Sequence, residues 1–122
     1  MDELTDRLVA SVGIDRATAV LAIGAILGFL RSEGPADKVQ SIIDQLPGAD
    51  AAIASAQAEG GGFASLMGGG VMALGMKLMG AGLSMGEIQS VIREVIAFAR
   101  EKIGKEAVDD IVNTIPGASQ FI

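Results

Sequence analysis

The chain contains no cysteine, no histidine, no tryptophan and no tyrosine. Without cysteine it forms no disulfide and offers no thiolate nucleophile. Without histidine there is no imidazole base, and the common zinc ligand sets cannot be assembled. The missing tryptophan and tyrosine remove the platforms on which single-stranded nucleic acid stacks. Only four aromatic residues remain, all phenylalanine, in a chain that is 50% hydrophobic, so the core has to be aliphatic. Basic residues are also scarce, nine against fifteen acids, for a net charge of −6. The densest basic grouping, Arg100, Lys102 and Lys105, is interleaved with Glu101 and Glu106. Such mixing marks a solvated helix surface rather than a phosphate-binding patch, and nucleic acid is not an expected partner.

The remaining titratable residues offer little for catalysis. Asp109 and Asp110 are neighbours, and on a helix they point about 100° apart, which does not make a carboxylate pair. A di-metal carboxylate bundle needs Glu-x-x-His spacing, which a chain without histidine cannot supply. Gly80-Ala81-Gly82 precedes a capped helix but lacks the strand before it and the Gly-Lys-Ser/Thr after it that a phosphate loop requires. No catalytic residue, metal site or cofactor is expected, and an enzyme is not the expected reading. The opening residues Met1-Asp2-Glu3-Leu4-Thr5-Asp6-Arg7 lack the basic-then-apolar order of a secretory signal, so the cytoplasm is the expected compartment.

What the chain does have is a repeat. Displaced by 69 positions, residues Gly13–Ile53 align without a gap on Gly82–Ile122, and ten of the 41 pairs are identical. Among them are Gly13/Gly82, Ile23/Ile92, Phe29/Phe98, Arg31/Arg100, Val39/Val108, Ile42/Ile111, Pro47/Pro116 and Ile53/Ile122. Each copy reads as helix, loop, helix. Ser84-Met85-Gly86-Glu87 has the spacing of a capping box, and Asp15 holds the same position in the first copy. The first helix of each copy is expected to run to about Glu33 and Ile103. A second follows with its apolar stripe at Val39, Ile42, Ile43 and Leu46, or Val108, Ile111, Val112 and Ile115. Pro-Gly stops it, and a short turn is expected to carry Ile53 or Ile122 back to the core. A helix before each copy is suggested by Leu4, Leu8, Val9 and Val12, and by Leu74 and Leu78. Arg31 and Arg100 suit structural contacts near helix C-termini. No alternating β-branched run demands a strand. The expected fold is therefore an all-α bundle, one domain over residues 1–122, with repeat one at 2–53, a Gly-rich joint at 54–70 and repeat two at 71–122.

The copies differ in one respect. Glu87, Ser90, Glu94, Ala97 and Glu101 give the second copy's long helix a polar side, whereas residues 17–30 of the first copy carry no charge. A helix that is apolar all round is buried all round. Leu21, Gly24, Ala25 and Gly28 are thus either the inside of a central helix or a contact surface for a partner, with Gly24 and Gly28 spaced for close helix approach. Fourteen uncharged residues fall short of the ~17–25 that span a bilayer.

Between the copies, residues Gly60–Gly86 hold ten of the seventeen glycines and five of the six methionines. Met72, Met76 and Met79 lie at i, i+4, i+7, one stripe of a helix expected over residues 71–81. Adaptable thioether side chains suit an apolar pocket or a variable partner as well as a helix contact in the core. Residues 63–83 carry one charge, Lys77, but the glycines at 68–70 interrupt them and membrane spanning is not expected.

The order Leu8-Val9-Ala10-Ser11-Val12-Gly13-Ile14, an Ala-rich helix with Gly24 and Phe29, then Leu46-Pro47-Gly48-Ala49 resembles small bacterial all-helical domains of unknown function, the VcgC/VcgE-like and YidB-like groups. The resemblance covers each repeat but not the Gly/Met-rich segment. It implies a bacterial helical fold and carries over no catalytic or binding residue. The expected function is a non-enzymatic interaction or assembly module that forms homo-oligomers or binds a partner protein through Leu21, Gly24, Ala25 and Gly28 and the Met/Gly segment. The alternative is a carrier or sensor of an apolar small molecule or lipid held between the repeats by Met72, Met76 and Met79.

Overall fold

A computed structural model describes residues 2–34, 36–55 and 70–114. These residues are helical and form no strand. The helices are α1 (Asp2–Val12), α2 (Arg16–Glu33), α3 (Ala36–Asp44), α4 (described over 49–55), α5 (Gly70–Gly80), α6 (Met85–Ile103) and α7 (Lys105–Thr114).

Local chemistry sets most of the boundaries. α1 ends at Gly13, whose φ of +82° costs a residue without Cβ nothing. α5 ends in a Schellman turn: Gly82, at φ +100°, donates to the Met79 carbonyl, and Leu83 donates back to Leu78. α6 starts on the expected capping box, with the Glu87 amide donating to Ser84 Oγ (3.3 Å) and the Ser84 amide to Glu87 Oε1 (2.8 Å). Asp15 stands at the N-cap of α2 as expected, but its side chain makes no cap hydrogen bond. One expectation needs correcting. After Pro47-Gly48 the chain does not merely turn; the Ala52 amide donates to the Gly48 carbonyl and residues 49–55 wind into a further helix. Ala49, Ala52 and Ile53 face the core from it.

The two long helices, α2 and α6, form the centre, and they touch one another. α1 lies across both of them, and so does α5. α3 packs on α2 and α7 on α6, and α3 and α7 meet. The core is aliphatic, with Phe98 the buried aromatic among the described residues. Displacement by 69 positions carries the start of α2 onto that of α6 and the start of α3 onto that of α7. It also carries buried residues onto buried residues: Ala19, Ala22, Ile23, Ile26, Leu27 and Leu30 onto Ile88, Val91, Ile92, Val95, Ile96 and Ala99. In α3 and α7 the stripes Val39, Ile42, Ile43 and Val108, Ile111, Val112 are both buried. Leu46 is buried too; its counterpart Ile115, like Ile122, lies outside the described residues.

Among the described residues no single helix is long and apolar enough to cross a membrane. α1 and α2 reach that length and composition only together, and the break between them bends the chain by 113°.

Candidate functional site

The uncharged face of α2 is covered from within the chain. Gly24, Ala25 and Gly28 are buried, and Leu21 is half-buried against the core. α4 supplies part of the cover, since the Ala52 carbonyl sits directly over Gly24; α5 also packs on α2. The positions of α6 that correspond to Leu21, Gly24 and Gly28 are Ser90, Arg93 and Ala97, all exposed, and Glu94, opposite Ala25, is half-exposed. Of the two readings open for this face, inside of a central helix or contact surface, the burial of Gly24, Ala25 and Gly28 accords with the first, since α4 and α5 pack on α2.

The methionine stripe is placed the other way. Leu74 and Leu78 turn into the core. Successive helical residues advance by about 100°, which sends Met76 and Met79 to the opposite side, where they are 40% and 52% exposed. They stand on the surface of α5. The Met72 side chain lies outside the described residues. Met85, at the first turn of α6, is 54% exposed, and was not picked out from sequence. Helical spacing sets it on the stripe of Ile88 and Ile92, which are buried, so periodicity alone gave no signal that this first-turn residue meets solvent. Together Met76, Met79 and Met85 make up three of the four exposed large hydrophobic residues among those described; Val9 is the fourth. Gly80, Gly82 and Gly86 lie among them with open space where a Cβ would project. Between Gly70 and Gly86 the sole charge is Lys77.

Charged side chains gather elsewhere, where α1 crosses α6. Arg7 donates to Glu101 at 2.7 Å, and Lys102 stands 3.9 Å from Glu3. Both cations also lie over the ring of buried Phe98, 5.5 Å and 5.1 Å from its centroid. The Arg7 hydrogen bond and charge hold the Glu101 carboxyl below the usual carboxylate range and raise Arg7 in turn. Lys38 of α3 pairs with Asp110 of α7, while Asp109 pairs with Arg100 at 3.5 Å, so the two adjacent acids serve different partners. Arg31 reaches Asp50 of α4 at 3.9 Å. These pairs are solvent-facing and hold helices to one another. No group of three acids among the described residues is arranged to hold a metal ion.

No protein-family model, curated protein or solved structure matches this chain.

Proposed function

We propose that this chain is a non-enzymatic helical interaction module that self-associates or binds a partner helix through the surface formed by Met76, Met79 and Met85. One observation carries the reading. Among the described residues, three of the four large apolar side chains left in solvent fall within ten residues of chain, at the end of α5 and the start of α6. Scattered apolar residues are ordinary on any protein surface, whereas a concentration of them marks a contact site. Methionine suits such a site, because its unbranched thioether adapts to apolar surfaces of varied shape. The intervening glycines keep the surface low enough for a helix backbone to approach.

The test is sedimentation velocity on the full chain and on the variant Met76→Glu/Met79→Glu. Both positions are exposed, so the far-UV circular dichroism should stay as it is. With both chains folded at high dilution and then concentrated, the weight-average mass of the wild-type chain should rise with concentration, and that of the variant should stay at the 12.4 kDa of one chain. A wild-type chain that stays monomeric up to millimolar concentration, and whose surface methionine resonances do not shift with added amphipathic helix, would remove the proposal.

A further inference from the structure

The two repeats are packed reciprocally. α1, from repeat one, lies on α6 of repeat two, and α5, from repeat two, lies on α2 of repeat one. The 69-residue correspondence pairs α1 with α5, α2 with α6 and α3 with α7. Under that exchange the contact α1 on α6 becomes α5 on α2, while α2 against α6 and α3 against α7 turn into themselves. Tandem repeats stacked by translation do not behave so, because there each unit meets its neighbour through two different faces. Reciprocal contacts, in which i meets j and j meets i, are the property of a two-fold interface. The departure is α3, which also rests on α6 without an equal contact of α7 on α2.

We infer that the contact between repeats one and two is a two-fold dimer interface closed within one chain, and that a second copy of this chain can supply either half of it, giving a dimer with exchanged repeats. Such an exchange makes no contact that the monomer lacks. Every seam of the closed chain is rebuilt between chains, so the monomer and the exchanged dimer differ mainly in how the repeats are linked. Because both repeats belong to one chain, each meets the other at an effective concentration on the order of 1 mM. Closure within the chain therefore prevails in dilute solution, and exchange grows as chains fold at concentrations approaching that value.

Pairing is directed, repeat one with repeat two. At the α1–α6 seam, Arg7 and Glu3 meet Glu101 and Lys102. The positions of α2 that correspond to Glu101 and Lys102 are Ser32 and Glu33. A pair of two first repeats would thus deprive Arg7 of its carboxylate and set Glu3 against Glu33. α2 packs on α5 instead. The inference stands on these seams alone and makes no use of Met76, Met79 or Met85.

The chain has no cysteine of its own, so single cysteines report contacts cleanly. Full-length R7C and E101C, at a half-buried and an exposed position of the α1–α6 seam, are mixed in denaturant, refolded together at a series of protein concentrations, and treated with a short bis-maleimide. The double variant R7C/E101C refolded at high dilution should cross-link within one chain. The mixed single variants should give R7C–E101C dimers several-fold in excess of either like pair, rising with concentration at refolding and persisting in the Met76→Glu/Met79→Glu background. Like and unlike pairs in statistical proportion, or no dimer while the double variant cross-links within one chain, would overturn the inference. E3C with K102C, the neighbouring contact of the same seam, gives a second pair should the first perturb folding. Loss of the mixed dimer in the Met→Glu background would instead assign association to the methionine surface.

Discussion

The carbonyl oxygen of Ala52 lies 2.1 Å from the point where a Cβ on Gly24 would stand, and its carbon 2.5 Å from it. Both are backbone atoms, so nothing there can rotate aside. Gly24→Ala should therefore push α4 off α2 and destabilise the chain by roughly 3 kcal/mol, the range of overpacked cores. The ordinary gain of Ala over Gly in a helix, about 1 kcal/mol, is too small to offset it. Gly75, in the middle of α5, has nothing within 4 Å of its would-be Cβ, and Gly75→Ala should stabilise by about 0.5–1 kcal/mol. Urea unfolding of the two variants checks the opposite signs. Equal effects would mean that α4 does not approach α2 as described.

Phe98 is predicted to be the most sensitive aromatic position. It is buried and carries Arg7 and Lys102 over its ring. Phe98→Ala should cost about 3–5 kcal/mol. Phe98→Leu keeps an apolar body but loses two cation–π contacts worth about 0.5–1 kcal/mol each at such exposed cations. In the Leu background, Lys102→Gln should then have a smaller effect than in the wild-type chain. A double-mutant cycle reads that coupling, and a zero result would deny the ring any part in holding α1 to α6.

The same seam gives a pH dependence. Glu101 is held below the ordinary carboxylate range mainly by its hydrogen bond from Arg7. A carboxyl depressed on folding adds stability above its unfolded value, about 4.3, and loses it as the pH falls through the lower folded value. Arg7, raised by the same bond, stays charged across that window. The melting temperature of the wild-type chain should therefore exceed that of Glu101→Gln at pH 7, with the gap closing below about pH 4 and shrinking with added salt. A gap that persists at pH 2 in the same buffer would point to packing rather than charge.

Two helix starts that look alike in sequence should respond differently. Ser84→Ala removes a bond made to the Glu87 amide and should cost about 1 kcal/mol. Asp15 makes no such bond, so Asp15→Ala should cost less than half as much. Thermal unfolding of both variants decides it.

The all-α fold was legible because its signals are local. The spacing of Leu4 and Leu8, the stripe Val39, Ile42 and Ile43 with its counterpart in α7, and the Ser84–Glu87 box each name a helix within a few residues. The ends of α2 at Glu33 and of α6 at Ile103 were readable for the same reason. The uncharged face of α2 could be recognised as covered, but not by what. Its cover, α4, follows Pro47-Gly48 and shows only Ala49, Ala52 and Ile53 to the core, too short a pattern to tell a helix from a turn. The methionine stripe was equally ambiguous. Periodicity places Met76 and Met79 on one side of α5, yet which side faces solvent depends on how α5 lies against α2 and α6. The α1–α6 charges were not legible at all, since no local pattern links Arg7 to Glu101.

Those two residues are 94 positions apart in sequence. Helical bundles usually fold fast because most of their contacts are local. Here α1, synthesised first, cannot complete its packing until α6 has emerged, and α2 is not fully covered until α5 follows. Each repeat exposes its apolar flank until the other is made. This chain should therefore fold late in synthesis and more slowly than a bundle of its length with neighbour-to-neighbour packing.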